Sequence, residues 1–295
     1  TRRSSDLATA EIDFHEACAI AIGAPEEGFK LVMENVLHIS RLFNTMCVLG
    51  MGRRAWQIAY AYAQRRIAFG KPIIDYPLIK EHLARIKAEN TAMLAAIFAT
   101  TRLQDDFDTG RVEGEDVKLL LRLLANLNKY LSALWSVEHI HHALDVLAGN
   151  GTIESFSTLP RLLRDSIVCE NWEGTHNTLR MQTLKDILRY KVDDLFLTFL
   201  EPKVSSHAIL RRSFDQLKSD LHKLKQAPVE IQSLQIKAIV DQMAILLSAS
   251  QLLAEAQDQP SKSKWHCFDY FVTLHLTQAP VEYNSHYLEL INKVL

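Results

Sequence analysis

Glu173 is the acidic residue whose neighbours best suit it to act as a base. It stands in Trp172-Glu173-Gly174-Thr175, with an aromatic before it and a glycine and a threonine after it. Glycine lets a backbone approach a ligand closely, and a threonine hydroxyl can cap the helix that follows. A helix start also presents unpaired N–H groups and a positive dipole end, which suit phosphate. A carboxylate at such a junction is a candidate general base beside a phosphate-bearing cofactor. The same residues also describe a capped helix with a surface glutamate.

Two other constellations are weaker. Glu138-His139-Ile140-His141-His142 contains Glu-x-x-His, the di-iron bundle signature, but that architecture also needs a second such motif on a facing helix and two more inward glutamates. A core-edge histidine cluster explains it better than a metal site. Gly50-Met51-Gly52-Arg53-Arg54-Ala55 superficially matches a dinucleotide fingerprint, yet no strand precedes it, so close helix packing is the better reading.

The elements that must position Glu173 are helices. Apolar residues recur at helical spacing from Leu31 to Arg66, from Pro77 to Asp106, from Asp116 to Leu147 and from Thr175 to Phe199, with 152–172 as an irregular crossover. This predicts an all-α, up-down four-helix bundle. Further helices are expected over 204–226, 230–257, 264–277 and 280–294, after a boundary at Glu201-Pro202-Lys203. The alternation in residues 8–14 predicts one half-buried strand. The domains expected are 1–25 as a β remnant, 26–200 as the bundle and 201–295 as an extra helical region.

Composition bounds the function. The 295 residues are 48% hydrophobic and 23% charged, with a net charge of −2, so no basic footprint favours nucleic acid. Cys18, Cys47, Cys169 and Cys267 are scattered and read as buried thiols of a reducing compartment. No apolar run suggests a transmembrane segment, and a cytoplasmic protein is expected, or a mitochondrial-matrix one in a eukaryote.

Three blocks together resemble the C-terminal domain of the acyl-CoA dehydrogenase flavoenzymes. The first is Gly28-Phe29, then Arg41, then Arg66-Ile67-Ala68-Phe69-Gly70-Lys71, similar to the family's Arg-x-x-Phe-Gly-Lys. The second is Ala148-Gly149-Asn150-Gly151, similar to its Gly-Gly-x-Gly turn. The third is Arg164-Asp165 followed by Glu173-Gly174-Thr175. They span roughly residues 1–190. The extra helical region resembles the extensions of very-long-chain and AidB-like members, though DNA binding would want a basic surface that is lacking here.

The resemblance implies FAD-dependent α,β-dehydrogenation of a fatty-acyl-CoA thioester, with Glu173 as the base that takes the α proton. It places Trp172, Gly174 and Thr175 at the cofactor, and has Arg66, Phe69, Gly149 and Gly151 serve the cofactor of a neighbouring subunit. It sets Arg41 near the thioester or its nucleotide tail. It also implies a homo-oligomer (dimer or tetramer) and an electron acceptor such as an electron-transfer flavoprotein. Some members place their base just before the arginine matched by Arg41; here that position is Ser40. Ala148 and Asp145 depart from the family pattern, and an Asp there would weaken the grip on pyrophosphate. The family's N-terminal domain and most of its middle domain have no counterpart here, so a C-terminal fragment is expected. The alternative is a non-catalytic helical scaffold or oligomerisation module.

Overall fold

The computed structural model describes residues 12–258, 262–277 and 280–295. The chain is all-α, as its patterning predicts. The first helical run begins with α1 (Gly28–Leu31), passes through a π-helical stretch (Val32–Leu37) and continues as α2 (His38–Arg65). A hairpin of β1 (Ile67–Ala68) and β2 (Lys71–Pro72) follows. It precedes α3 (Pro77–Asp108), which begins with a proline at its first position, where the missing N–H costs nothing. The fourth helix, α4 (Glu115–Leu147), lies against both α2 and α3.

The strand expected at 8–14 falls mostly outside the described residues, and Ile12, Asp13 and Phe14 have no regular structure. The crossover expected to be irregular contains a helix, α5 (Leu159–Asn171), with Pro160 in its first turn. The predicted fourth bundle helix is two helices, α6 (His176–Tyr190) and α7 (Val192–Val204), broken where Lys191 turns left-handed with φ 52°. Neither glycine nor proline marks that break. Pro202 lies within the last turn of α7, which ends at Val204, one residue past the expected Glu201-Pro202-Lys203 boundary.

Helices α8 (Ala208–Gln226), α9 (Val229–Asp258), α10 (Lys262–His275) and α11 (Ser285–Val294) complete the chain. One apolar core runs from Leu42, Ala92 and Leu127 through Phe196 and Leu217 to Leu247, Phe271 and Ile291. The C-terminal helices are therefore packed into the bundle's own core. A second, smaller core at the far end of α2 and α4 gathers Ala59, Ala63, Ile140 and Leu147.

α9 is long and apolar enough to cross a membrane, with mean hydropathy 1.3 over its best window, but 72% of that window is buried inside the fold. It is a core helix of the C-terminal region, and from Ile236 onward its apolar side chains are mostly buried against protein, while Val229, Ile231 and Leu234 at its start are exposed.

Candidate active site around Glu173

The C-terminal end of α5 and the start of α6 hold Glu173 between them. Trp172 closes α5 by donating its N–H to Val168 O at 3.0 Å, and the half-exposed indole faces outward. Glu173 and Gly174 then both turn left-handed, with φ 58° and 102°. Gly174 tolerates that angle, whereas a non-glycine residue there loses roughly 1 kcal/mol or more. Thr175 caps α6 as its position suggested, its hydroxyl accepting from Thr178 N.

The glutamate is held from several sides. Ser40 on α2 donates its hydroxyl to Glu173 Oε1 at 2.7 Å. The second oxygen, Oε2, is buried and has no partner. Arg41, itself buried, donates Nε to Glu173 O at 3.2 Å and a terminal nitrogen to Asn126 Oδ1 at 2.5 Å. Lys129 on α4 donates to Glu170 O at 3.0 Å and Gly174 O at 2.7 Å. Asn44 completes the α2–α5 seam through Cys169 O at 2.9 Å.

Sequence reasoning named Glu173 and Arg41, and Ser40 only as the residue before that arginine, but not Asn126 or Lys129. A signal was available: Asn126, Asn128 and Lys129 are polar intrusions in the buried leucine run of α4, where each must find a partner. Cys47 is also exposed, not buried as expected, and lies against the buried Cys169 across the same seam. Arg41 additionally borders a cavity of about 430 Å³ with His38, Gln104, Asp108 and Arg122. Burial pushes the His38 imidazole below its ordinary value, and Gln104 Oε1 lies 2.7 Å from it.

The remaining candidate residues gather elsewhere. Arg66 caps α2, and Phe69 at the hairpin tip is 96% exposed with φ 51°. Gly149 and Gly151 lie in the 3-10 turn after α4, joined to the end of α2 by Asn150 Nδ2 donating to the Tyr62 hydroxyl at 3.1 Å. Since α2 has 28 residues, it is about 42 Å long, and Ser40 lies near its other end. Arg66, Phe69, Gly149 and Gly151 are thus a cluster remote from Glu173 of the same chain. Arg164, adjacent in sequence to Asp165, pairs with Glu154 and ties α5 to the crossover. Among the described residues no group of three or more His, Cys, Asp or Glu side chains is placed to hold a metal ion.

The two turn glycines differ physically. A Cβ on Gly151 would lie 2.5 Å from Leu144 O, a backbone atom, whereas one on Gly149 would meet nothing within 4 Å. Gly151→Ala is expected to lower stability by roughly 1–3 kcal/mol in chemical denaturation, with Gly149→Ala near neutral. Equal effects of the two substitutions would contradict this packing.

The chain has relatives among known proteins. A family model described as the acyl-CoA dehydrogenase C-terminal domain matches residues 26–188. Acyl-CoA dehydrogenase family member 11 of Caenorhabditis elegans is 28% identical over 236 residues, covering 80% of this chain and 37% of that protein. The putative acyl-CoA dehydrogenase AidB of Escherichia coli K12 is 27% identical over 263 residues, covering 88% of this chain and 45% of the relative. The chain therefore spans less than half the length of either. A crystal structure of C. elegans ACDH-11 in complex with C11-CoA superposes with a TM-score of 0.74 at 23% identity, over 90% of this chain and 47% of the other, which is a likeness of fold.

Proposed function

This chain belongs to the acyl-CoA dehydrogenase family, and from that premise we propose that Glu173 is the general base in flavin-dependent α,β-dehydrogenation of an acyl-CoA thioester. The observation that carries the reading is the asymmetry of the carboxylate. Ser40 fixes Oε1, while Oε2 is buried with no partner. That oxygen is free to accept a proton, and the group is held at a defined angle while it does so.

The residues present fit the cofactor that members of this family use. Trp172, Gly174 and Thr175 flank Glu173 at the exposed start of α6, where an aromatic face and a helix N-terminus meet. A bound FAD would supply the hydride acceptor for the substrate β carbon. Glu173 takes the α proton, and Arg41 and Lys129 place two cations beneath the turn that carries it. Arg66 and Phe69 project from the opposite end of α2, where a second copy of the chain can receive them and the Gly149–Gly151 turn. Such an arrangement makes the active assembly a homo-oligomer, with an electron acceptor such as an electron-transfer flavoprotein re-oxidising it.

Ser40 contributes by orienting the base. Removing one hydrogen bond of about 1 kcal/mol is expected to lower kcat about fivefold in Ser40→Ala, with KM little changed. A purely altered KM would reject the orienting role.

The test of the function is the visible spectrum of the purified chain with FAD, before and after adding an acyl-CoA. A protein-bound flavin that bleaches with substrate supports the reading. Bound flavin unmoved by any acyl-CoA counts against it, and a chain that holds no flavin favours the scaffold or oligomerisation module.

A further inference from the structure

We propose that Lys129 is a positioning residue for Glu173: a buried ammonium that clamps the two ends of the turn carrying the base. The inference rests on Glu173 being that base. Lys129 has 0% of its surface exposed, which is rare for lysine and costly without compensation. Its compensation is specific. The ammonium donates to Glu170 O in the last turn of α5 and to Gly174 O just before α6, so the two contacts bracket Glu173.

Both carbonyls need a donor for local reasons. Glu170 belongs to the last turn of α5, where carbonyls lack intrahelical partners and the dipole end is negative. Gly174 follows a left-handed glutamate and cannot enter a helical ladder before α6 begins. Arg41 Nε, from the opposite helix, holds Glu173 O between them. Three carbonyl contacts, at Glu170, Glu173 and Gly174, made by two buried cations thus over-determine a conformation that a glutamate would otherwise leave.

The charges around Lys129 are mixed. Burial and Arg41 on α2 lower its affinity for a proton, while Glu170 on α5, Glu173 in the turn and Cys169 on α5 raise it; the ammonium is pulled down to about 8. Its titration therefore reports on the carboxylate it positions. Removing the Glu173 charge takes away one of the interactions that keep Lys129 protonated.

The experiment has two readouts that need no turnover. The first is hydrogen exchange of the Trp172 and Leu179 amides, whose acceptors Val168 O and Thr175 O flank the clamp. In Lys129→Met these amides are expected to exchange about tenfold faster or more, relative to the middle of α9, and Lys129→Arg is expected to restore part of the protection. The second is the ¹³Cε titration of Lys129 in the unaltered chain and in Glu173→Gln, with a midpoint near 8 that falls further in the variant. Unchanged exchange in a folded Lys129→Met chain overturns the proposal. Should that variant not fold, a Lys129 midpoint at the ordinary lysine value, unmoved by Glu173→Gln, overturns it instead. Full turnover in Glu173→Gln would remove the base yet leave these readouts intact, so the two readings fail separately.

Discussion

Glu173→Gln is expected to reduce turnover of an acyl-CoA by a factor of 10²–10⁴, the range a positioned general base contributes, with little change in fold. Glutamine matches the shape of glutamate, so the Ser40 hydroxyl keeps an oxygen to meet, and the Arg41 and Lys129 contacts are to backbone carbonyls that the substitution does not touch. What disappears is the basic lone pair on the buried, unpartnered Oε2. The discriminating pattern is a fall in kcat and in kcat/KM together, with the flavin still bound. Survival of wild-type kcat, in the assembly that turns over, would sink the assignment. A loss confined to KM would instead make Glu173 a binding residue.

How much of this was legible beforehand follows from sequence separation. The long helices announce themselves through apolar residues that repeat with the helical period, and α3 and α4 begin and end within two residues of expectation. The Trp172-Glu173-Gly174-Thr175 junction was legible because its demands are local: glycine at φ 102° and threonine at the cap. The partners of Glu173 were not, since Ser40 and Lys129 reach it only after the bundle has assembled. The sequence distance from Ser40 is 133 residues. Lys191 shows the reverse failure. It occupies a left-handed angle that its residue type does not advertise, because packing of Val192 and Phe196 into the core outweighs a local cost of about 1 kcal/mol. Helix α5 was hidden because it is short and mostly half-exposed, although Pro160 at its start is a signal that could have revealed it.

The histidine-rich segment of α4 yields the largest stability effect. Its buried, partnered residue is His139, not the Glu138 and His141 of the Glu-x-x-His spacing. His139 Nε2 lies 2.6 Å from Glu89 Oε2, while His275 Nε2 and Arg85 Nε each lie 2.9 Å from Oε1. Glu89 is fully buried, and it ties α3, α4 and α10 together, which joins the C-terminal region to the bundle. Burial alone would push the Glu89 carboxyl up, but the hydrogen bonds and charges of His139 and His275 outweigh it and hold the group well below the usual carboxylate range. Glu89→Gln removes the anion and leaves its buried partners uncompensated, and it is expected to cost about 3–5 kcal/mol at pH 7. In a chain of this size that lowers Tm by about 5–8 °C. Because the folded carboxyl titrates below its unfolded value of 4.5, its contribution is complete above that pH and is lost as the pH falls. The gap between wild type and variant should therefore stay constant from neutrality down to about pH 5, then narrow by up to about 1.4 kcal/mol per unit below 4.5. Chemical denaturation at pH 7 and pH 3 measures both arms. An equal gap at the two values would mean that Glu89 packs as a neutral group, and that the join between the C-terminal helices and the bundle is held by its apolar core alone.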